Sequence, residues 1–407
     1  MRILSVSSIP LWDVEDGKGI PSIYLGQKAF LDAGHEVMFA YAGRRHARSI
    51  YHGIQMVEFA VWDPAVPPRS LWLTRVLERL RWLIFLPVAA VLGWRLVREF
   101  RPDVIYGHAY HAAPVAWLLG RLAGVPNITR LYGTFLFPYV HAPLGRLVKL
   151  HEVLAFRSPC RYLIVTDDGT RGDAVAAALG VPASRLRFWR NGVNRDLCDP
   201  VWDPAALKEE LGVPPDHSLI LAVSRLVRWK RVDRLIAAMP AVTRAFPDVT
   251  AVVVGDGEER ANLEALARRA GVADRVRFAG LVAHADVPRF LSAADIFVSL
   301  YEISNVGNPL LEALACGRCI VSLNNGATGE INRDGEVAVL LDEAALDRLP
   351  SVLIELLRDD ARRLALGRRA RAYALTHLPT WSERMTLEVQ LIEALAPHGA
   401  PEHGRAG

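Results

Sequence analysis

The sequence predicts an α/β protein built on two largely parallel sheets. Three observations predict it. Short β-rich runs alternate with helical stretches along the chain, the pattern of strand–helix–strand units. Several of these runs are apolar throughout, as in Ala251-Val-Val-Val254, which suits strands covered on both faces. The alternation occurs twice, and a polar stretch from Asn194 to Asp216, with Pro200, Pro204, Pro214 and Pro215, separates the halves.

In the first half the strand-like runs are Ile3–Ser7, Glu36–Tyr41, Val104–Tyr106, Ile128–Leu131, Tyr162–Val165 and Leu186–Trp189. In the second they are Leu219–Val223, Thr250–Val254, Val276–Phe278, Ile296–Ser299 and Ile320–Ser322. Each is rich in β-branched and aromatic residues. Between them lie helical patterns. Val232, Leu235, Met239, Val242 and Phe246 recur at spacings of 3, 4, 3 and 4, a single helix face. Residues 205–211 read as a short helix inside the separator. A hinge near Leu197–Pro200 divides an N-terminal domain, 1–197, from a C-terminal domain, 198–379. A further helix covers about Thr380 to Leu395, and 397–407 has the composition of a flexible tail.

The length of 407 residues fits two domains, at ~100–200 residues each. With 51% hydrophobic and 23% charged residues the chain is globular material. Lys plus Arg exceed Asp plus Glu by only 48 to 44, too little to make nucleic acid the main partner. The cysteines Cys160, Cys198, Cys316 and Cys319 are too sparse for a disulfide framework. Cys316-Gly-Arg-Cys319 has no second pair or histidines at ligand spacing, so it reads as small buried thiols and not as a metal site. Met1 leads straight into a strand, without the apolar stretch of a secretory signal. The longest apolar run, Trp82 to Trp94, is interrupted by Pro87 and falls short of the ~20 residues that span a bilayer. The expectation is a cytoplasmic protein. Arg75, Arg79, Arg81, Arg95, Arg98 and Arg101 flank that run. They suit either a helix packed on the sheet with snorkelling ends or peripheral contact with anionic lipid at the inner face of the membrane.

Four segments carry candidate chemistry. Arg225 and Lys230 sit between a strand end and a helix start, the rim where open sheets bind ligands. A guanidinium fork and an ammonium point charge there would hold an anion. In Ser304-Asn-Val-Gly-Asn-Pro-Leu-Leu-Glu312, Asn308 and Pro309 suit a helix start. Gly307 permits close approach, and the helix tip favours phosphate. Glu312, one turn in, would accept hydrogen bonds from a ribose diol. Gly255-Asp-Gly257 follows a strand but does not complete GxGxxG, which disfavours a nicotinamide enzyme. Gly17-Lys-Gly19 joins the first strand to a helix, without the GK[ST] of a P-loop. No DxD pair occurs.

Together these segments resemble the family 4 glycosyltransferases. The resemblance rests on Arg225-x4-Lys230, Gly255-Asp-Gly257, Leu311-Glu312-Ala-Leu-Ala-Cys-Gly317, Gly34-His-Glu-Val37, Asn191-Gly-Val-Asn194 and Gly329-Glu330, in that family's order. It implies a GT-B fold: two Rossmann-like domains across a cleft, with the last helix, 380–396, crossing back to the first. It implies retaining transfer from a nucleotide sugar to a lipid-linked or polysaccharide acceptor, with no metal or other cofactor. On this resemblance Arg225 and Lys230 neutralise the leaving diphosphate and Glu312 holds the ribose. Backbone N–H groups at Val306 and Gly307 contact phosphate, and Gly19 lets the first domain approach it. Gly255, Asn191 and His108 line the donor site.

The sequence departs from the family twice. The family's Glu-x7-Glu motif has Ser304 at its first position, with Glu302 two residues off. Ser304 and Asn305 are therefore expected to bind the sugar by neutral hydrogen bonds. Tyr132 stands where the family often has His, and Tyr is a poor base at neutral pH. Two rivals stand beside this reading: a nucleotide-sugar-binding protein or subunit without catalysis, which the departures favour, and a sugar-nucleotide epimerase or hydrolase, which would want an acid–base pair at the sugar that Ser304 and Tyr132 do not supply.

Overall fold

A computed structural model describes residues 1–11, 21–61, 71–195 and 202–395. The hinge expected at Leu197–Pro200, Gly19 and the tail lie outside the described residues.

The first sheet has eight strands: β1 (Arg2–Ser7), β2 (Glu36–Gly43), β3 (Ala47–Tyr51), β4 (Ile54–Ala60), β5 (Val104–His108), β6 (Asn127–Leu131), β7 (Tyr162–Thr166) and β8 (Leu186–Trp189). Their order is β3-β4-β2-β1-β5-β6-β7-β8. All neighbours are parallel except β3 and β4. The second sheet has six strands: β9 (Ser218–Val223), β10 (Val249–Val254), β11 (Val276–Gly280), β12 (Ile296–Ser299), β13 (Cys319–Leu323) and β14 (Val339–Leu341). Their order is β11-β10-β9-β12-β13-β14, all parallel. Both are doubly wound sheets, and the strand runs read from sequence fall inside them. The helix Val232–Ala245 buries Val232, Leu235, Met239 and Val242 as its spacing predicts, while Phe246 caps it half-buried.

Three strands were not anticipated. β3 and β4 form a hairpin around His52 and Gly53, both at positive φ, the conformation of a type I′ turn. β14 is a three-residue edge.

The helix Trp381–Glu393 starts with a capping box between Thr380 and Glu383 and packs on the first sheet's side of the molecule. Its Glu388 is fully buried between Arg130 and Arg384. Tyr106 donates to the same carboxylate at 2.8 Å. The returning chain runs beside the outgoing one: Val193 bridges Thr380, and a Cβ on Gly192 would come within 2.5 Å of the Trp381 backbone. Glycine is required there because two backbones touch.

The apolar run Trp82–Trp94 lies in a longer helix, Leu71–Phe100, with Pro87 inside it. Residues 79–100 are long and apolar enough to cross a bilayer by length and composition, which corrects the thirteen-residue reading, and only 28% of that stretch is buried. One face, with Phe85, Ala89, Leu96, Val97 and Phe100, packs on the first sheet. Cys319 is a buried free thiol. Cys316 is in a disulfide, which corrects its reading as a thiol.

Candidate active site

The site lies where the C-terminal strand ends of both sheets face each other. β9 ends at Val223, and the chain then turns through Arg225 to a short 3-10 turn, Arg228–Lys230. Arg225 is exposed, and among the described residues it makes no ion pair. Lys230 is half-buried. Its ammonium lies 4.3 Å from the Trp229 ring and 3.7 Å from the Tyr301 ring and donates to the Ser304 carbonyl at 3.4 Å. Burial, aided by the Arg225 charge and opposed by Asp168, pulls its pKa down to about 7. Gly255 supports this turn from behind. Its N–H donates to the Gly280 carbonyl, and at φ 124° a Cβ would collide with the Ser224 carbonyl.

Ser304 adopts a left-handed backbone, φ 57°, uncommon for a residue with a side chain. Its hydroxyl donates to Asp168 Oδ2 at 2.7 Å. Asp168 belongs to the first domain, just after β7, so this bond crosses the cleft. Thr170 holds the other oxygen with its N–H and hydroxyl. Burial raises the Asp168 pKa against these donors. Phe135 of the first domain meets Trp229 edge-on at 5.9 Å.

The expectation for Ser304 and Asn305 is corrected in part. Asn305 is buried, and its amide donates to Asn325. It braces a loop, and its Oδ1 lies against Gly169 of the first domain. The Val306 N–H is taken by the Asp168 carbonyl at 3.0 Å, so it is not a phosphate donor here. Gly307, not Asn308, is the residue before the helix Asn308–Ala315. Asn308 instead accepts from Asn191 at 2.9 Å, which ties Asn191 to the helix tip. Glu302 is paired with Arg231 and Arg234, so it does not stand in for the missing Glu.

Glu312 is buried, with its Oε1 2.8 Å from His284 Nε2. Burial disfavours the charged imidazole, but the Glu312 hydrogen bond and charge outweigh it and hold the His284 pKa above its ordinary value. On the first-domain wall, His108 Nδ1 and the Tyr132 hydroxyl are 2.7 Å apart. Burial, reinforced by Arg130, drives the His108 pKa down to about 3. Burial raises that of Tyr132. Both are neutral hydrogen-bonding groups near pH 7.

Residues 204–373 match the family described as glycosyl transferases group 1, and residues 27–192 match the glycosyl transferase 4-like domain. A GDP-mannose-dependent alpha-(1-6)-phosphatidylinositol monomannoside mannosyltransferase of Mycobacterium tuberculosis is 30% identical over 306 residues, 70% of this chain and 75% of that enzyme. The chain belongs to the family 4 glycosyltransferases. A D-inositol 3-phosphate glycosyltransferase of Segniliparus rotundus is 28% identical over 68% of this glycosyltransferase and 63% of its own length. The fold is shared with a sucrose-phosphate synthase from Thermosynechococcus elongatus, at a TM-score of 0.78 and 21% identity over 97% of this chain and 99% of that one. This is the GT-B architecture.

Sequence reasoning missed two residues of this glycosyltransferase, Asp168 and His284. The signal for Asp168 was its place directly after a strand, at the sheet edge where ligands collect. His284 carried no signal, since a single His in a loop has no spacing to read.

Proposed function

We propose that this glycosyltransferase moves a sugar, with retention of configuration and without a metal, from a nucleoside diphosphate sugar to a lipid-linked or polysaccharide acceptor. Its place is the cytoplasmic side of the membrane, in envelope or exopolysaccharide synthesis. One observation carries the donor reading. An exposed guanidinium, Arg225, with no ion pair among the described residues, and a half-buried ammonium, Lys230, stand together at the rim of the second sheet. They neutralise the diphosphate as it leaves, while Glu312, steadied by His284, takes the ribose hydroxyls. Preorganised donors of this kind contribute about 3–4 kcal/mol each to the transition state. Mannose from GDP-mannose is the first donor to test, because the M. tuberculosis relative uses it.

The acceptor side rests on a second observation. The loop bearing Phe135 runs into a surface where Leu144 is 79% exposed and Leu147 64% exposed. Val148, Leu150 and Leu154 join them, with Leu80 and Leu83 on the adjoining helix. Arg146, Lys149 and Arg157 lie among them. Apolar side chains ringed by cations suit an anionic lipid surface.

Transfer of radiolabel from GDP-mannose, UDP-glucose and UDP-N-acetylglucosamine to a membrane extract tests the reading. Arg225→Ala and Lys230→Ala should each lower turnover about a hundredfold or more. Hydrolysis of donor that is indifferent to acceptor would favour the hydrolase rival, and donor binding without turnover would favour the binding protein. Flotation with phosphatidylglycerol vesicles at low salt should fail for Leu144→Asp/Leu147→Asp. Equal flotation of variant and wild type excludes this face.

A further inference from the structure

We infer that Asp168 is the carboxylate that receives the hydroxyls of the donor's sugar. The inference rests on the donor-site reading above. Three groups converge on Asp168 from different parts of the chain. Ser304, on the second domain's loop, donates to its Oδ2 at 2.7 Å. The Tyr132–Gly133 turn of the first domain lies against the same oxygen: a Cβ on Gly133 would come within 2.5 Å of it. Lys230, which also touches the Ser304 carbonyl, feels the Asp168 charge. A sugar esterified to a diphosphate held by Lys230 has to lie beside that ammonium, between Ser304 and the Tyr132 turn. Asp168 is the buried carboxylate that borders all three.

The two oxygens are occupied unequally. Oδ1 takes the Thr170 N–H and hydroxyl, whereas among the described residues Oδ2 accepts from Ser304 alone. An ionised carboxylate oxygen accepts two hydrogen bonds. Oδ2 thus retains capacity for a second donor, and Thr170 fixes the carboxylate plane. The nearest carboxylate on the opposite loop, Glu302, is paired with Arg231 and Arg234. The sugar's anionic partner therefore comes from the first domain, and the sugar would be held only when the two domains meet.

Calorimetry on the full-length protein separates the sugar from the nucleotide. GDP and GDP-mannose form one pair of probes, UDP and UDP-glucose the other. For the pair that wild type binds, Asp168→Asn should weaken the sugar nucleotide about tenfold or more, as expected for a lost charged hydrogen bond. Affinity for the bare diphosphate should stay within about twofold. Asp168→Asn keeps the shape of the side chain and its bond to Ser304. The double variant Asp168→Asn/Ser304→Glu moves the carboxylate to the facing loop and should recover most of the lost affinity. Equal losses for diphosphate and sugar nucleotide would make Asp168 a strut between domains and overturn the inference, as would no loss for either. Failure of wild type to bind any of the four probes would overturn the donor-site reading itself, and this inference with it.

Discussion

Lys230 should take up a proton when a nucleoside diphosphate binds. In the free protein its ammonium is wedged against two aromatic rings, 4.3 and 3.7 Å away, and burial brings its pKa to about 7. At pH 8 roughly nine-tenths of the free protein then carries a neutral amine. A bound diphosphate places two or more negative charges beside it and restores the proton. Binding should therefore consume about 0.9 proton at pH 8, about 0.5 at pH 7 and about 0.1 at pH 6. By the same linkage affinity should fall about fivefold from pH 7 to 8 and about tenfold more to pH 9. Calorimetry at pH 8 in HEPES and in Tris measures the proton number from the dependence of heat on buffer ionisation. Lys230→Arg retains a cation that does not titrate, so its proton number should be near zero. A wild-type proton number near zero at pH 8 would refute the reasoning.

Two further predictions concern the fold. His108 is buried neutral with a pKa of about 3, so below its unfolded value of ~6.5 the unfolded chain binds the extra proton and stability falls as pH falls. This one group should make the protein about 2 kcal/mol less stable at pH 5 than at pH 7.5, a difference that His108→Asn should remove in urea titrations at the two pH values. Glu388→Leu leaves Arg130 and Arg384 buried without their shared carboxylate, and urea unfolding should show a loss of about 3–5 kcal/mol; a loss under 1 kcal/mol would mean that water already solvates the pair.

The two doubly wound sheets were legible because covered parallel strands are apolar throughout and the helices between them keep a 3.6-residue period. β3 and β4 escaped because neither is apolar throughout: β3 is largely exposed, and β4 turns Ile54 and Met56 to one face of the sheet and Val57 and Phe59 to the other, with Gln55 exposed and Glu58 between them. Their turn is His-Gly, without the Asn-Gly that would announce it. At the site, Arg225, Lys230 and Glu312 were legible as candidates from their places at strand and helix ends. Asn305 was not, because sequence cannot say whether an amide beside a ligand loop faces the ligand or props the loop. Asp168 and His284 act through partners 136 and 28 residues away, distances that only tertiary structure closes.

The buried triad at Glu388 has a bearing on the order in which the protein matures. Tyr106 and Arg130 leave the ribosome early, yet the carboxylate that they share is encoded 282 residues after Tyr106. Until the closing helix is synthesised, the first lobe holds a guanidinium in its interior with no counter-ion, whereas the second lobe already has all its own strands. The lobe made first is thus the one finished last, and the nascent chain must shelter a half-built first lobe for most of its synthesis.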